Sequence, residues 1–212
     1  HTAGGVVGFR SIGEGIAHDY LYGVAHVEVG AITVGANLSR REGVRSFKDN
    51  GLGISQNGRQ PYDEIRGNYD DSPPLINPSR EELDAWFIEQ ASGDTKRAIL
   101  RDYSGKPIAL ERKSFRKHTS GERYLSQNRP AIALLVPDIL KSPDEVYLQR
   151  EGVPSKGSMG KYTVTYLRFF RDRVLAVLCN VDPEGMRVRT WFNVGDKQMS
   201  SHRQGVLIEY KN

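Results

Sequence analysis

The spacing of hydrophobic and polar residues divides the chain into two unlike parts. Residues 1–60 hold short apolar stretches separated by glycine, and the loose alternation of residues 24–36 predicts a strand or hairpin. Residues 61–78 carry four prolines among Asp and Asn, which indicates a loop or linker. We therefore predict a Gly-rich, β-containing N-terminal region at 1–78 and a second domain at 79–212.

Two helices are predicted in the second part. Ser79 suits an N-cap, and Glu81 and Glu82 suit the positive end of a helix over residues 80–91. Its expected inner stripe is Leu83, Trp86, Phe87 and Gln90. A second helix is predicted over residues 129–141, with Pro137 expected to kink or shorten it. Its apolar face is Ile132, Leu135, Val136 and Ile139.

Period-two alternation and short turns predict a sheet after these helices. The expected strands cover residues 107–110, 145–149, 162–170, 174–181, 186–194 and 205–210. Tight turns join the middle three of the last five strands, which favours an antiparallel meander. The predicted fold class is α+β, with helix followed by four to five antiparallel strands.

One face of this predicted sheet combines basic and aromatic residues. Its members by alternation are Tyr162, Tyr166, Arg168, Arg187, Arg189 and Trp191. Cations for phosphate and rings for unpaired bases are typical of RNA binding. The alternative is a solvent face on which arginines lie over aromatic rings. The same alternation places Thr190 on the face opposite Arg168, unless a bulge intervenes.

Charge is distributed unevenly along the chain. Residues 1–95 contain 8 Lys+Arg and 14 Asp+Glu, whereas residues 96–212 contain 22 and 12, giving net charges of −6 and +10. This asymmetry predicts an anionic partner for the basic half. It also suggests that the acidic half docks on the basic half and masks it, or that it serves delivery or folding.

Other features of composition exclude several classes. No apolar run is long enough for a transmembrane helix, and no signal-peptide pattern is present. The first residue is His1 rather than Met, so we interpret the chain as an excised or processed piece of a larger polypeptide, and a tag remnant is the alternative explanation of His1. The single Cys179 lies in an apolar run and is expected to be a small buried hydrophobe. His18 and His26 lack the spacing of a helical metal-ligand pair, and a structural role is the preferred interpretation.

A basic cluster surrounds one histidine. His118 lies among Arg112, Lys113, Arg116, Lys117 and Arg123. A histidine moves protons near neutral pH and cations attract phosphate, so the cluster suggests chemistry on a phosphodiester. The alternative is a solvated basic face on a helix or turn.

The order of these features resembles a known family. The motifs are Lys106-Pro107-Ile108, Phe115-Arg116-Lys117-His118, Pro143-Asp144-Glu145-Val146 after a helix, Tyr166-Leu167-Arg168-Phe169, Val188-Arg189-Thr190-Trp191-Phe192 and Arg203-Gln204-Gly205-Val206. Over residues 100–212 they look like the phage-associated branch of the barnase–EndoU–colicin–RelE (BECR) nuclease superfamily. Domains of that branch lie at the C-termini of phage head proteins and polymorphic toxins.

The resemblance implies a metal-independent endoribonuclease toxin domain without a cofactor. Carried over by position, it implies catalytic roles for His118, Arg168 and Thr190. RNA contacts are then expected from Arg112, Lys113, Arg116, Lys117, Arg189, Trp191 and Tyr166. It further implies RNA as partner, an immunity protein or inhibitor as a second partner, and action in a bacterial cytoplasm after delivery.

The expected reaction uses the RNA 2′-hydroxyl as nucleophile and yields a 2′,3′-cyclic phosphate, with His118 as general acid or base. Nearby cations are expected to depress the pKa of His118. Two alternatives stay open. One is a non-catalytic nucleic-acid-binding domain of a phage structural protein, and the other is an ADP-ribosyltransferase-type toxin.

Overall fold

The computed structural model describes residues 60–151, 161–182, 185–203 and 205–210. Six α-helices are described: α1 (Tyr62–Ile65), α2 (Arg80–Gln90), α3 (Arg112–Thr119), α4 (Glu122–Leu125), α5 (Arg129–Lys141) and α6 (Asp196–His202). Seven strands are described: β1 (Arg97–Arg101), β2 (Pro107–Glu111), β3 (Glu145–Glu151), β4 (Lys161–Phe169), β5 (Val174–Asp182), β6 (Gly185–Val194) and β7 (Val206–Tyr210). The strand or hairpin predicted at 24–36 lies outside the described residues, as do His18 and His26.

The described strands form one mixed sheet in the order β1-β2-β6-β5-β4-β3-β7. The α+β class is confirmed, and β4, β5 and β6 form the predicted antiparallel meander. The prediction of four to five antiparallel strands was too low. It omitted β1, a short edge strand ending in arginines, and it did not foresee that β2 pairs with β6 in parallel.

Both faces of the sheet are covered in its centre. On one face, α2, α3 and α5 pack on a core that includes Tyr166, Val177 and Trp191. On the other face, Tyr62 of α1 and Met199 of α6 close a second cluster. The strand alternation therefore separates two buried faces rather than a buried face and a wet one. The expected exposed aromatic surface is wrong, because Tyr166 and Trp191 are buried in the core under α5, whereas Arg189 is exposed.

Local sequence explains the two long helices. Ser79 and Glu82 form a reciprocal capping box at the start of α2, as the N-cap prediction required. Helix α5 has the predicted bounds and continues past Pro137 to Lys141, so this proline does not shorten it. In the core, Cys179 is buried and burial raises the pKa of its thiol, in agreement with the expected role as a small hydrophobe.

Residues 60–79 are attached to the sheet and helices that follow them. The backbone carbonyl of Asp70 accepts from Arg171, and Ser72 bonds to the Asp172 carboxylate. Asn77 accepts a hydrogen bond from the backbone N–H of Ala131 at 3.3 Å and donates to the carbonyl of Leu125 at 2.9 Å. The domain boundary at residue 78 stays a prediction, with these contacts linking both sides of it.

Asn77 supplies a cap that helix α5 lacks locally. The N-cap of α5 is Asn128, whose side chain makes no capping hydrogen bond. Because Ala131 is in the first turn of α5, the Asn77 side chain satisfies one of its otherwise unpaired N–H groups from 54 residues away. Within the described part of the chain, no helix is long and apolar enough to cross a membrane.

Candidate active site

The candidate site lies where strands β2 and β6 part. Their parallel register pairs Ile108 with Met186 and Ala109 with Arg187. The chain then leaves β2 for helix α3, while β6 continues and carries a bulge opposite the Leu178/Cys179 step of β5. Diverging parallel strands leave a crevice beyond their carboxyl ends. Side chains from α3, the start of α5 and β6 meet at this opening.

His118, in the last turn of α3, is half-buried in the opening. Its ring packs edge-on against Tyr124 at 5.2 Å and Trp191 at 5.5 Å between ring centroids. Its Nδ1 lies 3.5 Å from Nη1 of Arg129. Burial, followed by the charges of Arg129 and Lys117, lowers the pKa of His118, against a hydrogen bond to the Arg189 backbone. The pKa of His118 is shifted in the expected direction, but the main causes are burial and Arg129 rather than the basic cluster.

Arg129, the first residue of α5, is the central cation of the opening. Its Nη1 donates to Thr190 Oγ1 at 2.8 Å, and its Nε donates to Gln127 Oε1 at 2.8 Å. The indole of Trp191 donates to the Arg129 carbonyl at 2.8 Å, which fixes the backbone. Burial is the first cause of a lowered pKa at Arg129. Among the described residues, no carboxylate pairs with this guanidinium.

Arg129 was not among the predicted site residues, although the sequence contained one signal for it. The residue stands at the first position of a predicted helix, directly before Pro130. A cation is unfavourable at the positive end of a helix, so an arginine there calls for another reason. The structure supplies one, because two aromatic rings flank the guanidinium, Tyr124 at 5.0 Å and Phe192 at 5.8 Å from ring centroid to Cζ.

The bulge in β6 brings Thr190 to this site. It sets Val188 opposite Cys179 and Thr190 opposite Leu178, so one extra residue, Arg189, falls between them. The half-buried Thr190 hydroxyl thereby accepts from Arg129. The structure thus joins Thr190 to His118 through Arg129.

Arg168 lies elsewhere. Its Nη1 donates to the carbonyl of Ser142 at 2.6 Å and is 3.6 Å from the Asp144 carboxylate. Ser142 follows the last residue of α5, whereas Arg129 is its first, and 13 helical residues span about 20 Å. The structure therefore does not bring Arg168 to His118.

The remaining predicted contact residues fall into three groups. Lys113, Lys117 and Arg189 are exposed around the opening. Arg112 and Arg116 both pair with Asp84 of α2, at 3.3 and 3.2 Å. Trp191 and Tyr166 are fully buried, and Tyr166 donates to Asp102 at 2.9 Å, so neither ring is accessible for stacking on a base.

A cleft of about 600 Å³ adjoins the opening on the far side of Arg129. It is lined by Arg123, Ser126, Gln127, Asn128, Arg129, Leu178, Phe192, Asn193, Gly195, Gln198 and His202. Of these residues, Arg123 belongs to the basic cluster noted in the sequence around His118. The described residues contain no group of three or more His, Cys, Asp or Glu arranged to hold a metal ion.

Comparisons with known proteins give one family. The model of a family described as phage-Barnase-EndoU-ColicinE5/D-RelE like nuclease2 matches residues 86–210, which is more than half of the chain. The match begins inside α2 and includes His118, Arg129, Thr190 and the cleft. No curated protein matches the chain. No solved structure matches it either.

Proposed function

The chain belongs to this family of phage BECR-like nucleases, and from that premise we propose that it is an endoribonuclease with His118, Arg129 and Thr190 at its active site. Family membership supports a nuclease domain in general. The choice of RNA and of these residues is carried by one observation. A histidine with a lowered pKa contacts an arginine that has no carboxylate partner among the described residues.

RNA chemistry suits this pair. At neutral pH the lowered pKa keeps His118 neutral, the form that accepts the proton of a ribose 2′-hydroxyl. His118 takes the 2′-hydroxyl proton, the 2′-oxygen–phosphorus bond forms and the phosphorus–5′-oxygen bond breaks. Water protonates the departing 5′-oxygen, and the resulting hydroxide takes the proton back from His118. The Arg129 guanidinium stabilises the charge that develops on the non-bridging oxygens. The products are a 2′,3′-cyclic phosphate and a 5′-hydroxyl, and these steps call for neither a metal nor a cofactor.

The other residues have supporting roles in this proposal. Thr190 holds the Arg129 guanidinium through its hydroxyl, and Trp191 holds the Arg129 carbonyl. The exposed Lys113, Lys117 and Arg189 attract the RNA backbone, with a salt-sensitive contribution. Arg112 and Arg116 contribute less, because Asp84 already pairs with both.

The test is cleavage of a defined RNA oligonucleotide by the full chain and by His118→Ala. Loss of a general base costs typically 10²–10⁴-fold in rate, so we expect a fall of about that size. The matched control is Arg97→Gln, which removes an exposed cation on β1, 3.8 Å from Glu111 and outside the site. The wild-type product should carry a 2′,3′-cyclic phosphate and should form in excess chelator.

Two results would contradict the proposal. Unchanged cleavage by His118→Ala would remove this residue from the mechanism. RNA binding that weakens with salt, without cleavage by the wild-type chain, would instead favour a non-catalytic nucleic-acid-binding domain.

A further inference from the structure

We propose that the cleft beside Arg129 is a subsite for one nucleotide of the RNA, with the base held between side-chain amides and the Phe192–His202 pair. The proposal rests on the proposed function, since it assigns a substrate contact to the same site. It adds a binding site, and with it a source of sequence preference, to the reaction.

The cleft has the size and the position that a nucleotide site needs. A volume of about 600 Å³ falls within the 300–1,000 Å³ that is usual for small-molecule sites. Arg129 lines the cleft, and its Nη1 also faces His118 at 3.5 Å. A phosphate bound by Arg129 would therefore lie at the cleft entrance, with the attached nucleoside inside.

The described residues that line the cleft are positively charged or neutral. Two arginines line the cleft, Arg123 and Arg129, and none of its described lining residues is Asp or Glu. Arg123 is exposed, so its charge is available to a neighbouring phosphate. A cleft of this kind favours an anionic ligand, and a guanidinium fits two phosphate oxygens at once.

The cleft is lined by amide and aromatic side chains. The side chains of Asn128, Asn193 and Gln198 make no hydrogen bond to other residues that the structure describes. Each amide offers both a donor and an acceptor, which matches the mixed edge of a nucleobase. Phe192 and His202 lie 5.1 Å apart between ring centroids and form an aromatic surface at the same place. Burial lowers the pKa of His202, so its ring is uncharged at neutral pH.

Binding is the first test, with the full chain as the protein. The probes are the four ribonucleoside 3′-monophosphates, with inorganic phosphate and ribose 5-phosphate as references, measured by calorimetry. We expect at least one nucleotide to bind about tenfold more tightly than phosphate, because its base stacks on the aromatic surface of the cleft. The double variant Asn193→Ala/Gln198→Ala should lose this difference. Asn68→Ala, which removes an exposed amide of the 3₁₀ turn Arg66–Asn68, should retain it.

Cleavage-site mapping on a mixed-sequence RNA is the second test. The double variant should still cleave but with an altered base preference next to the scissile bond. Equal affinity for phosphate and for all four nucleotides, or an unchanged preference in the double variant, would overturn the subsite and leave the ribonuclease proposal standing. Nucleotide binding that depends on Asn193 and Gln198, in a chain that does not cleave RNA, would support the subsite and reject the ribonuclease.

Discussion

The guanidinium groups of Arg203 and Arg129 both lie against the sheet, but their surroundings are opposite in character. Arg203 is fully buried and donates to both carboxylate oxygens of Glu145, at 2.7 and 2.5 Å. Burial opposes its charge, but the hydrogen bonds and charge of Glu145 outweigh burial and the pKa of Arg203 is raised. Arg129 is half-buried, contacts a hydroxyl, an amide and an imidazole, and its pKa is lowered.

The difference separates a structural arginine from the arginine that we propose acts in cleavage. The carboxylate of Glu145 satisfies Arg203, whose Nη1 also donates to the carbonyl of Gln60 at 3.0 Å. No described carboxylate does this for Arg129, so its charge remains available for a phosphate at the opening between β2 and β6. Burial alone therefore does not identify the functional arginine, whereas the partner of the guanidinium does.

The largest expected effect is on the buried pair. Arg203→Leu leaves the Glu145 carboxylate buried without its partner, and breaking such a pair typically costs 3–5 kcal/mol. We expect a loss of about that size in the free energy of unfolding, measured by urea denaturation. The double variant Arg203→Leu/Glu145→Leu should recover much of the loss. If Arg203→Leu alone is as stable as wild type, the structural role of Arg203 is wrong.

A substitution of Arg129 should lower the rate of RNA cleavage rather than the stability of the fold. Arg129→Gln removes a donor from the developing phosphorane charge, and loss of one such donor costs about 10²–10³-fold in kcat. Arg168→Gln, at the other end of α5, is the comparison variant, because sequence alone favoured it. A larger loss of RNA cleavage for Arg168→Gln than for Arg129→Gln would reverse our placement of the site.

Asn77 tests whether the start of α5 depends on residues before the matched family region. Asn77→Ala removes the capping contact to Ala131, and loss of a cap costs about 1 kcal/mol. Asn77→Asp keeps an acceptor for that N–H and should recover most of the stability in the same urea titration. Equal losses for both variants would show that the contact to Leu125, rather than the cap, matters.

The smallest expected effect is a shift of the pH profile. Because the neutral form of His118 is the proposed base, the rate should fall with pH only below the ordinary histidine pKa. Removing the Arg129 charge raises the pKa of His118, so the acid limb of Arg129→Gln should move to higher pH. The measurement is the pH dependence of residual kcat/KM, with Arg97→Gln as the unshifted control. If the acid limb does not move, the charge of Arg129 has no effect on the pKa of His118.

Local sequence predicted the two long helices, six of the seven described strands and one residue of the candidate site. Ser79 and Glu82 predicted the start of α2, and the apolar stripe predicted α5 within its observed bounds. The lone histidine among cations predicted His118. The predictions of α2 and α5 are confirmed because caps and periodicity act between residues that are close in the chain, whereas the role of His118 stays a prediction.

Long-range placement explains the misses. Arg168 was favoured because its position matches a basic residue of the family pattern, but Ser142 and Asp144 bind its guanidinium at the other end of α5. Thr190 reached the site through a bulge that alternation alone left open. Arg129 was missed, because its role depends on contacts to residues 11 and 61 positions away.

By itself, the sequence determined the α+β class, the approximate bounds of six of the seven described strands and of the helices α2 and α5, and the family resemblance, and it made His118 a candidate. Tertiary structure alone decided which arginine accompanies that histidine, which sheet face is covered, and where a nucleotide-sized cleft lies. The physical reason is that secondary structure follows from neighbours within a few residues. A site at the parting of β2 and β6 depends instead on strand order, on one bulge and on the partners of each buried charge.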